Sequence, residues 1–236
     1  MSEALIPVFA GPSLPPEERP AGPFDWRPPA AAGDILALLE RPPAKLCLID
    51  GYFGSRPAPW HKEILALMAR GTIVLGAASM GALRAAELHT HGMIGIGTIF
   101  TAYRDRRIEG DDEVALIHAD ERLRFAPMTV PMVEIRATLQ QACRARLLRS
   151  SDARKIRARL HEIHFEDRDW PLMEKVCASE GLIQRSAFRK LRAIHVPLKK
   201  IDALSCLREA LIAVVPQKPS PAPPATCFIR ALEKQL

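Results

Sequence analysis

Apolar positions along the chain change their period twice, and each change marks a different kind of element. Ile6-Pro7-Val8-Phe9-Ala10 is a short apolar run that reads as a first strand, turned by Gly11-Pro12-Ser13-Leu14-Pro15-Pro16. Residues 11–33 are rich in Pro and Gly and predict an ordered surface wrap without a regular element. Asp34 is placed to cap a helix reaching about Glu40, where Pro42-Pro43 stops it. Lys45-Leu46-Cys47-Leu48-Ile49-Asp50 then predicts a buried strand, and a Gly/Pro loop follows from Gly51 to Pro59. From Trp60 to Arg70 the apolar positions Trp60, Ile64, Leu65, Leu67 and Met68 fit one helical face, ended by Gly71. Thr72-Ile73-Val74-Leu75 is a second buried strand, and Gly76-Ala77-Ala78 leads through Ser79 into a helix from about Met80 to His89.

Strand, helix, strand and helix in that order predict parallel strands joined by a right-handed crossover. Residues 92–127 are mixed, with Gly92, Gly95 and Gly97 suggesting turns. From about Pro131 the period is helical, and shorter helices are expected near 170–180, 185–195 and 201–214. The expected fold class is α/β, a small and largely parallel sheet flanked by helices, followed by an α-helical C-terminal region. The expected division is a core over 1–127, a helical region over 128–215 and a Pro-rich tail over 216–236.

Composition narrows the class. With 48% hydrophobic and 25% charged residues, the chain is able to bury a core. No apolar run approaches the roughly 18–20 residues that span a bilayer, and the N-terminus lacks the pattern of a signal peptide. A cytoplasmic protein without membrane association is expected. The five cysteines are scattered and form no C-x-x-C pair, which argues against a zinc ribbon, a redox dithiol or a disulfide framework.

The net charge of +6 is unevenly spread: residues 1–127 hold 13 Lys+Arg against 16 Asp+Glu, and residues 128–236 hold 20 against 11. The basic half is either a docking surface for an acidic partner or a set of solvated helix faces. Nucleic-acid binding is disfavoured, because aromatic residues are only 6% and do not interleave with the basic ones.

The chemistry concentrates between Trp60 and Arg84. Ala77-Ala78-Ser79-Met80-Gly81 approaches the G-x-S-x-G elbow, with Ala in the first Gly position. Such a turn projects the Ser hydroxyl from the sheet edge, and the N–H groups of Met80 and Gly81 at the helix start are candidate oxyanion donors. The same features suit anion binding or simple helix capping.

Trp60-His61-Lys62-Glu63 lies beyond the carboxyl end of the neighbouring strand, where α/β folds place their sites. It offers Lys62 and His61 as bases and Glu63 as a support. Lys62 is a base only when neutral, which burial and a helix N-terminus favour; His61 needs less perturbation. Asp50 either orients one of them or caps its turn. Arg84 either holds an anion or pairs with Glu87 on the surface. Asp112 and His118 are supporting-site candidates within Gly110-Asp111-Asp112-Glu113-Val114-Ala115-Leu116-Ile117-His118, whose three acids and His either bind a divalent cation or, more commonly for such a pattern, form an ordinary helix start. No metal or other cofactor is expected.

Five strings together carry a family resemblance: Gly11-Pro12-Ser13-Leu14, Leu48-Ile49-Asp50-Gly51-Tyr52-Phe53, Pro59-Trp60-His61-Lys62-Glu63-Ile64, Gly76-Ala77-Ala78-Ser79-Met80-Gly81-Ala82-Leu83-Arg84-Ala85-Ala86-Glu87-Leu88, and Asp111-Asp112-Glu113-Val114-Ala115. Over roughly residues 6–125 the chain resembles the TfuA family. The resemblance implies an accessory enzyme of peptide-backbone thioamidation, working beside a YcaO-type enzyme on a precursor peptide. It implies hydrolysis of the C-terminal thiocarboxylate of a ubiquitin-like sulfur carrier protein, with Ser79 as nucleophile and Lys62 as its base. The alternative is a non-catalytic adaptor that docks the carrier and the peptide onto the YcaO partner.

Overall fold

A computed structural model describes residues 5–54, 56–213 and Arg230. Five strands run β1 (Ile6–Phe9), β2 (Phe24–Arg27), β3 (Lys45–Leu48), β4 (Ile73–Gly76) and β5 (Ile94–Gly95). The helices are α1 (His61–Ala69), α2 (Met80–Leu88), α3 (Gly97–Arg104), α4 (Met132–Arg144), α5 (Ser150–His161), α6 (Trp170–Ser179), α7 (Arg185–Ala193) and α8 (Leu198–Ile212). Residues up to Ile108 together with those from Lys199 form one compact unit, and Glu109–Leu198 form a second. The helices expected after residue 128 therefore divide between the units, with α8 from Lys199 returning to the sheet. The expected tail over 216–236 lies, apart from Arg230, outside the described residues.

In the first unit the strand order is β2-β1-β3-β4-β5, and every neighbouring pair is parallel. Strand alternation sends Cys47, Ile73 and Leu75 to one face, where Ala203, Cys206, Leu207 and Ala210 of α8 complete a buried cluster with Ile6, Val8 and Ile49. Lys45 Nζ donates to the Ala210 carbonyl at 2.7 Å and so ties the helix to the start of β3. Helices α1 and α2 both pack on β4, and their inward residues Ile64, Leu67, Ala82 and Ala85 are fully buried.

Two edge strands and a helix were not expected from the sequence. In β2 the alternation Phe24-Asp25-Trp26-Arg27 is only four residues long and sits inside the Pro/Gly-rich stretch; it pairs along its whole length with β1. β5 has two residues, one of them Gly95, and α3 follows directly from Gly97. Gly97 has a φ of 95°, and an added Cβ there would collide with the Asp202 carboxylate. That carboxylate, from α8, accepts from the N–H groups of Thr98 at 3.0 Å and Ile99 at 2.8 Å, so α3 is capped by a residue distant in sequence.

The helix expected after Asp34 is a 3₁₀ turn over Leu36–Glu40. Asp34 accepts from Ala31 N–H at 2.7 Å instead of capping it.

In the second unit, α4 packs on α5 and α6 on α7. Their buried residues, among them Met132, Leu139, Ile156, Leu160, Met173, Phe188 and Leu191, form one apolar cluster. Arg168 is completely buried; its Nε and Nη2 donate to the Ile163 carbonyl at 3.2 and 2.8 Å. The basic side chains Arg154, Lys155, Arg157, Arg185, Arg189, Lys190 and Arg192 are exposed on α5 and α7, as solvated helix faces are. No helix among the described residues is long and apolar enough to cross a membrane.

Candidate active site

Ser79 stands where β4 turns into α2. The Ser79 N–H donates to the Ala77 carbonyl at 2.8 Å, across an Ala78 whose φ is 66°. An i to i+2 hydrogen bond with a positive φ at its centre is a strained γ-turn, and a non-glycine residue there costs on the order of 1–3 kcal/mol. A turn this tight reverses the chain at once from strand to helix and leaves Ser79 as the N-cap of α2, with its side chain making no cap hydrogen bond. Among the described residues no hydrogen bond engages its hydroxyl. Ser79 is only 2% exposed, so a reactant has to enter a recess to meet it.

Close packing of α2 on the strand ends makes the turn possible. An added Cβ on Gly76 would collide with the Gly81 carbonyl, and one on Gly81 with the Leu48 carbonyl. Gly81 is therefore required for backbone approach, and its N–H is already given to the Ile49 carbonyl at 3.1 Å. The Ala82 N–H goes to the Ser79 carbonyl at 2.9 Å. The backbone donor of this first turn left without an acceptor, among the described residues, is the Met80 N–H. A donor on the residue after a nucleophile is one half of the oxyanion hole in serine elbows. Of the two oxyanion donors expected from the sequence, Met80 keeps that capacity and Gly81 does not.

The start of α1 meets α2. His61 Nε2 lies 2.7 Å from Glu87 Oε2, Arg84 Nη1 donates to the same oxygen at 2.7 Å, and Arg84 Nε donates to the Pro59 carbonyl at 3.0 Å. Burial alone would raise the Glu87 pKa, but the hydrogen bonds from His61 and Arg84 outweigh it and hold the carboxyl below its ordinary value. His61 and Arg84 are thus joined through Glu87, which the sequence suggested only as a surface partner of Arg84. Lys62 is the second residue of α1 and is half-buried. It is not hydrogen-bonded to Ser79.

Two of the expected supporting carboxylates are committed elsewhere. Glu63 is fully buried and accepts from Trp60 N–H at 3.1 Å through Oε1, and from Gly33 N–H at 2.9 Å and Leu36 N–H at 3.3 Å through Oε2. It is the third residue of α1 and caps the helix while pinning the 33–36 segment beside it. Burial raises its pKa despite these three donors.

Asp50 orients neither Lys62 nor His61. Its Oδ2 accepts from Gly11 N–H at 2.8 Å and Ser13 N–H at 3.0 Å, and its Oδ1 accepts from the Ser13 hydroxyl at 2.6 Å. The Lys199 ammonium lies 3.9 Å from Oδ1, and both residues are 2% exposed. Ser13 and Lys199 were not singled out in the sequence. A signal for Lys199 existed: the buried stripe Ala203, Cys206 and Ala210, extended back one turn, lands on it.

Asp112 and His118 belong to the second unit. There Asp112 is the middle residue of a 3₁₀ turn, lies 3.6 Å from Arg168 Nη2 and 3.9 Å from His161 Nε2, and leaves Glu113 to a two-pronged pair with Arg136. His118 lies 2.7 Å from the Ala119 carbonyl through Nδ1 and packs edge-on to Phe125. The two residues serve different contacts.

No curated protein matches the chain. The model of the TfuA-like protein family matches residues 50–169. The match starts at Asp50, takes in the Ser79 turn and the start of α1, and continues through helices in which the sequence showed no signature. It spans just over half of the chain, and the chain belongs to the TfuA-like family.

Proposed function

We propose that this protein is an accessory hydrolase of peptide-backbone thioamidation. It removes sulfide from the C-terminal thiocarboxylate of a ubiquitin-like sulfur carrier, for use by a YcaO-type enzyme acting on a precursor peptide. Membership of the TfuA-like family supports the thioamidation setting. The observation that supports hydrolysis is the Ser79 turn: a hydroxyl without a hydrogen-bond partner among the described residues, next to the unclaimed Met80 N–H.

In this reading Lys62 takes the Ser79 proton as Oγ bonds to the thiocarboxylate carbon. The charge that moves to the carbonyl oxygen is held by the Met80 N–H. When the tetrahedral species collapses, the C–S bond breaks and sulfide leaves with the proton from Lys62. Water then adds to the acyl ester and gives a proton to Lys62; Lys62 returns it to Ser79 Oγ as the C–O bond breaks, and the acid formed releases its remaining proton to solvent as a carboxylate. Catalytic hydrogen bonds are often long in an unliganded enzyme, and entry of the carrier tail is the event that brings Lys62 and Ser79 together.

The test is sulfide release from a thiocarboxylated carrier by the wild type, Ser79→Ala and Lys62→Ala. A loss on the order of a hundredfold or more in both variants is expected. Unchanged release in both, with the carrier still bound, would mean that the protein is an adaptor.

A further inference from the structure

A buried backbone N–H with no acceptor is costly, and native folds keep few of them without a reason. Two occur where β3 and β4 end. One is the Met80 N–H in the first turn of α2. The other belongs to Gly51, a buried residue beyond the end of β3, whose N–H finds no acceptor among the described residues.

The hydrogen bonds on either side of Gly51 fix the direction of its N–H. The Asp50 N–H donates to the Phe9 carbonyl, and the Asp50 carbonyl accepts from the Ala30 N–H, both at 3.0 Å. The Tyr52 N–H donates to the Ala30 carbonyl at 3.0 Å. Asp50 and Tyr52 thus turn their backbone polar groups toward β1 and the segment that follows β2. Alternate residues of an extended chain present theirs to opposite sides, so Gly51 faces the other way. On that side stand the end of β4 and the start of α2. There the Leu48 carbonyl accepts from the Ala77 N–H and the Ile49 carbonyl from the Gly81 N–H, both at 3.1 Å.

Met80 lies directly against Gly51. A Cβ added to Gly51 would stand 2.8 Å from Met80 Cγ and 3.0 Å from Met80 Cβ. The absent side chain is what lets residue 51 approach the residue that follows Ser79. Two buried and unclaimed N–H groups therefore border the Ser79 turn, one from each strand end.

We propose that the Gly51 N–H is a second oxyanion donor, acting with the Met80 N–H. This rests on the hydrolase reading above and completes its charge stabilisation. In serine elbows the second donor comes from a loop after a different strand; here that loop follows β3, and Ser79 follows β4. The substrate asks for more than one donor. A thiocarboxylate is already anionic, and the tetrahedral species formed from it carries a further negative charge. Arg84 does not answer that charge, because its guanidinium is committed to Glu87 and to the Pro59 carbonyl.

The test replaces the amide between residues 50 and 51 of the full-length protein by an ester, with glycolate in place of Gly51. This removes the N–H and adds no side-chain atom. An ester between residues 51 and 52 is the control: it removes the Tyr52 N–H and weakens the same Ala30 bridge. The kcat of sulfide release should fall about a hundredfold with the first ester at little change in KM, and stay within about threefold of the wild type with the second. A carrier-tail peptide ending in a boronic acid gives an independent reading on the unaltered chain. Ser79 Oγ adds to the boron, loses its proton and forms a tetrahedral anion, and the Gly51 and Met80 amide protons should then move downfield together in the NMR spectrum. An adduct that leaves the Gly51 amide unmoved, or equal losses of kcat with the two esters, would overturn the Gly51 assignment and leave hydrolysis standing. No adduct in the wild type, with sulfide release that persists in Ser79→Ala, would overturn hydrolysis at Ser79 and this assignment with it.

Discussion

The amide of Gly81 donates to the carbonyl of Ile49 at 3.1 Å, and this contact holds the start of α2 against the end of β3. It exists because Gly81 has no Cβ; one added there would overlap the Leu48 carbonyl, a backbone atom that has no rotamer with which to yield. Gly81→Ala should therefore push α2 away from the sheet and open the Ser79 turn. A loss of about 2 kcal/mol or more in urea unfolding is expected, in the range of overpacked cores. Sulfide release should fall more than stability alone explains. A variant as stable as the wild type would show that α2 shifts without strain.

Asp50 gathers Gly11, Ser13 and Lys199 at one point of the sheet edge. Asp50→Ala leaves the Gly11 and Ser13 N–H groups without their acceptor and removes the carboxylate 3.9 Å from the buried Lys199 ammonium. The expected cost is about 3–5 kcal/mol in the unfolding free energy. Asp50→Asn retains one acceptor oxygen and should cost less than Asp50→Ala.

Glu63 has its folded pKa raised by burial, against the opposing effect of its three backbone donors. A carboxyl with a raised folded pKa binds more protons folded than unfolded, so its contribution to stability is full below the ordinary Glu range. That contribution is lost as pH rises through the folded value. Glu63→Gln should remove this falling segment from the stability–pH curve. It should also lower stability at every pH, because the amide NH₂ faces a backbone donor where Glu63 offered an acceptor. Urea unfolding of both proteins from pH 4 to 8 measures the difference.

His61 is engaged with Glu87 at a partly exposed position. Exposed pairs of this kind contribute about 0–1 kcal/mol. His61→Ala should leave sulfide release within about threefold of the wild type, as fits a residue that joins α1 to α2 and is not the base. A hundredfold drop in kcat with unchanged folding would transfer the base from Lys62 to His61.

Much of the first unit could be read directly from the chain. The apolar runs at 6–10, 45–50 and 72–75 became β1, β3 and β4 because buried parallel strands need continuous apolar sequence. The helices at 61–69 and 80–88 followed from their apolar spacing, and the Ser79 turn from small residues at a strand-to-helix junction. These are local signals, set by residues a few positions apart.

The roles of the charged residues were decided elsewhere. Neighbouring residues in the sequence gave no reason for Glu63 to bind the 33–36 segment, for Asp50 to turn toward loop 11–13, or for Arg84 to donate to the Pro59 carbonyl. Each side chain points to a donor or acceptor that only the parallel sheet brings near. The same holds for Lys199, separated from Asp50 by most of the chain until α8 packs across the sheet. Hydrophobic period is a property of consecutive residues, and it determined which segments are strands and helices. Hydrogen-bond partners of buried polar groups depend on which strand ends become neighbours, and that was settled only when the order β2-β1-β3-β4-β5 formed.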